Sequence, residues 1–358
     1  MNMIGTRVSK VQSPESRVQS VDILRTIAII AVIVIHTTPF ELQDSAIGRA
    51  LDWATVWNQL ARFAVPLFFV LSGYFWAGKF KDEKDVFKPT VSMMKKIAIL
   101  LLFWSAVYLI PMSNFDLLSG GVAGFIKQIY WNILGAAKQP LFTLMRGTQG
   151  HLRFLVALLC GLAISALLLR FKFKRLLVVV ALVLYGIGLA GKAYSDTPLG
   201  FHSDFNFRYG PFFSLAFFVT GYFLQRKQPQ PRWFPIGCLL VCLGALLHFA
   251  ELIFLYVGWG TAMVQDYVVG TYFFGVGAAL IALSNTKWLR SSRVASIGPL
   301  VLGIYASHVI FVDLLKPADL RYPDNAVWDV MYVVVVFLLS YALAWLMSKH
   351  RFTKRFVA

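Results

Sequence analysis

The chain has 358 residues, 58% of them hydrophobic and only 14% charged, with 34 Lys and Arg against 17 Asp and Glu and a formal net charge of +17. A soluble domain carries about 25% charged residues, so the composition excludes an ordinary soluble fold, and no polar block is long enough to fold as one. In a soluble protein the excess of cations would point to nucleic acid; here they lie largely between apolar runs, which reads as membrane topology and not as a nucleic-acid surface.

Taken in chain order, residues 1–20 form a polar, positively charged segment. No small-residue cleavage site follows the first apolar run, so that run is read as a retained helix. The apolar runs are about 17–24 residues long, the length that crosses a bilayer. The predicted fold is therefore all-α, a polytopic membrane protein of about ten spans, at 21–40, 60–78, 91–111, 152–169, 176–191, 209–225, 233–256, 267–284, 297–315 and 327–347. These make a membrane domain over 21–347, followed by a cytoplasmic tail at 348–358. With the N-terminus inside, 23 of the 34 cations fall in cytoplasmic segments and 8 in outer ones; Arg25, Arg62 and Arg153 lie at or in spans. That asymmetry predicts an N-in/C-in topology, and a bacterial inner membrane is the natural location.

The longest connection, at 112–150, is predicted to lie outside. Its middle, 122–144, mixes apolar residues with Lys127, Gln128, Lys138 and Gln139. It reads either as an amphipathic segment at the interface or as a loop packed on the bundle. F69-V-L-S-G-Y-F75 is echoed by F217-F-V-T-G-Y-F223, as a parallel repeat or, more simply, as two Phe-rich helices with a glycine for close packing. Cys160, Cys238 and Cys242 fall in spans without metal-ligand company and read as small apolar fillers. No metal site is expected.

The first span carries the most informative pair, Arg25 and His36. An ionisable residue inside a span is costly and is a candidate functional group. Eleven residues at about 100° each come close to three whole turns, so the two share a helix face, about 16 Å apart along the axis. Asp22, three residues before Arg25, falls on the same face. A cation near one surface and an imidazole half a membrane away fit a long anionic ligand such as a coenzyme A thioester. A snorkelling anchor for Arg25 and an interhelical hydrogen bond for His36 are the simpler alternatives.

V21-D-I-L-R-T-I-A with the Arg-x10-His spacing resembles the first helix of the acyltransferase 3 family of integral membrane proteins. R62-F-A-V-P-L-F-F-V-L-S-G-Y-F75, H151-L-R-F-L-V-A157 and G303-I-Y-A-S-H308 resemble further segments of that family, in the same order. The nearest type is the single-domain O-acetyltransferases of surface polysaccharides, such as the one acting on enterobacterial common antigen. The resemblance implies acetyl-CoA as donor substrate, with no permanently bound cofactor, and a glycan hydroxyl as acceptor. It also favours Arg25 as a contact to the nucleotide phosphates, for which a guanidinium fork is suited, with Asp22 orienting it or holding the helix start. Arg153 departs from the family, where Trp is common after His-Leu.

Topology adds an independent argument. His36, His151, His248 and His308 fall in the predicted outer half, His202 falls in an outer connection, and only His350 is cytoplasmic. Glu251 lies three residues after His248 and is costly in a span without a partner. Arg62 opens the second span from outside and could hold an acidic acceptor, orient a carbonyl or anchor the interface. The expected site is thus His36 as general base or as an acyl-accepting nucleophile, Arg25 and Asp22 for the donor, and Arg62, His151, Arg153, Glu251 and His308 around the acceptor. No P-loop, dinucleotide fingerprint, zinc spacing or serine elbow appears. The expected activity is membrane O-acyl transfer from cytoplasmic acetyl-CoA to a surface glycan or its lipid-linked precursor. A transporter or flippase using the same groups as a conduit is the alternative, and a glycan polymerase is a further one.

Overall fold

Each predicted span becomes a helix in the computed structural model, which describes residues 18–41, 52–111 and 114–357, with the backbone alone for 114–119 and Ser292. The helices are α1 (Gln19–Thr37), α2 (Trp53–Leu60), α3 (Ala64–Ala77), α4 (Phe87–Val107), α5 (Asn114–Lys138), α6 (Pro140–Arg146), α7 (Arg153–Arg170), α8 (Lys174–Ala190), α9 (Pro211–Lys227), α10 (Trp233–Trp259), α11 (Val269–Leu283), the single turn α12 (Ser292–Ala295), α13 (Val301–Asp319) and α14 (Ala326–Lys349). No strand occurs among the described residues. The cations expected on the N-terminal segment (Arg7, Lys10, Arg17) and Arg49 lie outside the described residues.

Seven helical stretches are long and apolar enough to cross a membrane: Gln19–Thr37, Trp53–Ala77, Glu83–Val107, Gly150–Arg170, Trp233–Trp259, Arg293–Asp319 and Ala326–Lys349. The protein is thus a multi-pass membrane protein. The other three predicted spans become α8 and α9, of 17 residues each, and α11, of 15 residues. At 1.5 Å per residue they cover about 23–26 Å, short of a hydrocarbon core of about 30 Å. α9 and α11 are largely buried in the bundle, whereas α8 packs on α9 and exposes Leu176, Val179, Leu182 and Val183.

α1 is the hub, in contact with α3, α11, α12, α13 and α14. Peripheral helices turn apolar side chains outward, as α10 does with Leu239, Leu243, Leu246, Leu247, Phe254 and Val257. An all-round apolar helix with such an outer face suits lipid.

Glycines bring two helix pairs into backbone contact. In α3 and α9 a Cβ on Gly73 would collide with the Phe218 carbonyl, and one on Gly221 with the Val70 carbonyl. The two echoing Ser/Thr-Gly-Tyr-Phe segments therefore face each other. They run parallel, because Arg62 and Arg208 at their starts both reach Asp266 while Arg226 at the end of α9 reaches the Phe80 carbonyl beyond the end of α3. The echo is a reciprocal packing surface. In α10 and α11, Gly244 lies against the backbone of Phe273 and Phe274, and Gly270 against that of Leu247 and His248.

Of the 112–150 connection, the described residues 114–150 are largely helical. α5 breaks at Gly121, where φ is +55°, a value glycine tolerates, and α6 follows from Pro140. The C-terminal tail folds back after Lys349: Phe356 stacks on Phe103 with ring centroids 3.8 Å apart, Trp104 Nε1 donates to the Phe356 carbonyl at 3.0 Å, and Val357 is buried beside Gly303. This docking returns the tail's cations to the bundle.

Candidate active site

His36, His151 and His308 converge from three helical segments. The His36 and His308 ring centroids are 5.0 Å apart, His151 and His308 5.2 Å, and His36 and His151 6.4 Å. α1 brings His36 in its last turn, His151 sits in the short turn before α7, and His308 lies mid-way along α13. Tyr305, one turn before His308, donates to the His151 carbonyl. Tyr108 donates to the Ala306 carbonyl at 2.8 Å and packs edge-on against His151.

The backbone decides two tautomers. His308 Nδ1 lies 2.6 Å from the Tyr305 carbonyl oxygen, and His151 Nε2 lies 3.3 Å from that of Ala306. A carbonyl only accepts, so each of these nitrogens carries the proton. In the neutral rings the opposite atoms, His308 Nε2 and His151 Nδ1, then bear lone pairs. Both are buried and have no hydrogen-bond partner among the described residues. Three imidazoles, two with such lone pairs, make a proton-accepting cluster.

Beside it stands a charged group of different character. Asp266, in the connection before α11, pairs with Arg62 at 3.2 Å, Lys192 at 3.4 Å and Arg208. Burial alone would raise the Asp266 pKa; Arg208, Arg62, Lys192 and Arg153 overcome it and hold the carboxyl well below its ordinary range. Asn58 Oδ1 accepts from Arg62 Nη2 at 2.7 Å and from Nε at 3.1 Å. Gln59 donates to Asn58 and shares a 3.0 Å hydrogen bond with His248 Nε2, whose Nδ1 meets Thr271 at 3.0 Å. A continuous polar chain thus fixes Arg62. His36, Arg62, His151, Arg153, Arg208, Asp266 and Tyr305 line one small chamber of about 40 Å³.

A second, larger cavity of about 770 Å³ opens at the other end of α1. Its lining includes Arg25, Lys96, Arg351, Lys354 and Arg355, with an apolar wall that includes Leu71, Ile97, Leu100 and Leu158. Arg25 lies over the Phe75 ring at 5.1 Å and 3.9 Å from Asp22. Asp22 is buried and occupies the space a Cβ on Gly298 would take, which ties the start of α1 to the turn before α13. Phe154 and Tyr305 line both cavities, with ring centroids 5.3 Å apart. The cationic cavity and the histidine chamber therefore meet at this aromatic pair.

Of the residues singled out in the sequence, the structure brings His36, Arg62, His151 and Arg153 to one chamber, with His308 against its imidazoles, and puts Arg25 and Asp22 at the opposite end of α1. Glu251 and His248 go elsewhere. Glu251 accepts from the backbone N–H groups of Val269 at 2.9 Å and Gly270 at 3.0 Å and from the Tyr194 hydroxyl. It satisfies the start of α11, where orphan donors and the helix dipole favour a carboxylate. Sequence reasoning missed Arg208 and Asp266, which lie in connections, and counted Lys96, Arg351, Lys354 and Arg355 only as topology signals. Tyr305 stood within G303-I-Y-A-S-H308, and only its contacts with His151 and Phe154 reveal its position.

Among curated proteins, an amino-acid racemase of Enterococcus faecalis is 27% identical over 95% of this chain and 48% of its own length. Another from the same species is 27% identical over 62% of this chain and 30% of its own. A serine/alanine racemase of Enterococcus gallinarum is 29% identical over 60% and 30%. The chain thus spans about half or less of the length of these relatives. No solved structure matches it significantly. The acyltransferase domain of the acyltransferase 3 family matches residues 18–348, all but the two ends, and takes in the whole histidine chamber and the larger cavity except Arg351, Lys354 and Arg355; the chain belongs to that family.

Proposed function

We propose that the protein is a membrane O-acyltransferase that takes an acyl group, an acetyl group in the first instance, from cytoplasmic acyl-CoA and delivers it to a hydroxyl of a surface glycan or its lipid-linked precursor. The observation that carries this reading is the meeting of a cation-lined cavity with a histidine chamber at Phe154 and Tyr305. In this scheme Arg25, Lys96, Arg351, Lys354 and Arg355 hold the phosphates of the donor, where charge-assisted hydrogen bonds are strongest. The donor's arm runs along α1 past Phe154, and its thioester reaches His36. With the cationic cavity facing the cytoplasm of a bacterial inner membrane, all ten helices cross, α8, α9 and α11 within a locally thinned or protein-lined region, and both termini lie inside.

The chemistry follows from the cluster. His36 takes the proton of the acceptor hydroxyl as its oxygen attacks the thioester carbonyl carbon. The new C–O bond forms, the C–S bond breaks, and the proton passes from His36 to the departing thiolate, leaving an ester and free CoA. Tyr305 and Tyr108 fix the backbone around His151 and His308, so the imidazoles are held in place before the substrates arrive.

The racemase relatives give a second reading a foothold. Proteins named for amino-acid racemisation share this membrane region, and a passage through the bundle also serves transport of a small molecule. Purified protein in detergent decides between them. Transfer of radiolabelled acetyl from acetyl-CoA to added glycan, with no membrane gradient, is the expected result. Absence of transfer, together with substrate uptake by sealed proteoliposomes, would establish the transporter.

A further inference from the structure

The outer chamber holds more positive charge than it balances. Arg62, Arg208 and Lys192 converge on a single carboxylate, Asp266. Arg153 lines the same chamber and makes no ion pair among the described residues. Arg153 is half-buried, Asp266 acts on it only at longer range and not as a direct ion pair, and a cation so placed is poised for an anion from elsewhere. The protein's own carboxylate is committed to fixing Arg62 and Arg208, which leaves Arg153 as the group that still seeks a partner.

Building on the acyl-transfer reading above, we propose that this chamber binds the carboxylate of its acceptor on Arg153, flanked by Arg62 and Arg208, and that the acceptor is a hydroxyl compound bearing a carboxylate. The size of the chamber fits that group. The chamber's volume of about 40 Å³ exceeds the ~10–15 Å³ that one water needs, so a small polar group can enter. A planar carboxylate also matches the guanidinium fork with two parallel hydrogen bonds. Arg153 follows His151 by two residues at the start of α7, so the anion anchor and the imidazole cluster are held at a fixed short separation. The site thereby selects acceptors whose hydroxyl stands near the carboxylate. An acidic sugar has that chemistry, and so does a hydroxy amino acid.

The test is binding to the purified full-length protein without acyl donor, by titration calorimetry in nanodiscs. The probes are methyl β-D-glucuronoside, its neutral counterpart methyl β-D-glucoside, L-serine and L-serinamide, with inorganic phosphate as competitor. At least one carboxylate is expected to bind about 10- to 100-fold more tightly than its counterpart lacking the carboxylate, as charged hydrogen bonds warrant. Arg153→Gln should erase that difference, and Arg153→Lys should keep part of it with the fold intact. Preference for the glucuronoside assigns the carboxylate to a sugar acid, and preference for L-serine to an amino acid. Equal affinity for probes with and without the carboxylate, no binding of either carboxylate, discrimination that survives Arg153→Gln, or displacement by phosphate at lower concentration than either carboxylate would overturn the proposal. Because no donor is present, failure of acyl transfer leaves the result standing. Conversely, acetyl transfer to the neutral glucoside as fast as to the glucuronoside would remove the carboxylate site and leave the transferase.

Discussion

In the proposed reaction His36 and Arg25 act at opposite ends of α1, so their substitutions should fail in different ways. His36→Ala should lower acetyl transfer by at least 100-fold, the lower end of what a general base contributes, with the protein still in the membrane at normal level by immunoblot. Near-normal transfer in that variant would remove the imidazole from the chemistry. Arg25→Ala should instead weaken acetyl-CoA binding by about 10- to 150-fold, the worth of a charged hydrogen bond to phosphate. Arg25→Lys should recover only part, since a point charge replaces a fork. His36→Ala should leave that affinity nearly intact, because it sits about 16 Å away along the axis. Titration of acetyl-CoA and of CoA lacking its 3′-phosphate into each variant checks this, and equal loss in both would exclude an extended donor pose. Arg25 and His36 were legible in sequence because a charged or ionisable residue stands out in an apolar run. Asp266 was not, because an acidic residue in a connection is ordinary until three cations are seen around it.

At the scale of the elements, close backbone packing and helix capping explain residues that sequence alone left open. Gly73 and Gly221 let α3 and α9 touch, so Gly73→Leu should destabilise by at least the 1–3 kcal/mol of an overpacked core. It should be seen as an earlier melting transition in detergent. An unchanged melt would show that the two helices can separate at no cost. Glu251 was expected near the acceptor from its place beside His248; the structure gives it to the start of α11. Glu251→Gln should therefore cost about 0.5–2 kcal/mol of stability, as loss of a cap does, while the transfer rate of the folded fraction is retained. A loss as deep as that of His36→Ala would return Glu251 to the chemistry. The tail shows the same limit of sequence reading: Lys354 and Arg355 looked like membrane-surface charges until the stacking of Phe356 on Phe103 turned their segment into a cavity wall.

For the whole molecule, the arrangement of charge predicts orientation. Single cysteines at residues 81–88 and at the C-terminus should react with an impermeant reagent only after lysis, and those at 113–150 in intact spheroplasts, following the 23 to 8 partition of cations. The reverse pattern would put the cationic cavity on the outer face and end the case for a cytoplasmic donor. The sequence by itself determined the helical class, the place of ten of the fourteen described helices and the family, because a bilayer demands long apolar runs with satisfied backbones and those runs are local in the chain. It also marked both ends of α1, since helical spacing is local too. Only the tertiary structure decided which polar groups meet. His36, His151 and His308 lie up to 272 positions apart and come together because α1 threads the centre of the bundle. Asp266, Arg62 and Arg208 find one another across connections that carry no periodicity. The junction of the two cavities rests on the packing of Phe154 against Tyr305, a contact between distant aromatic residues that no local pattern encodes.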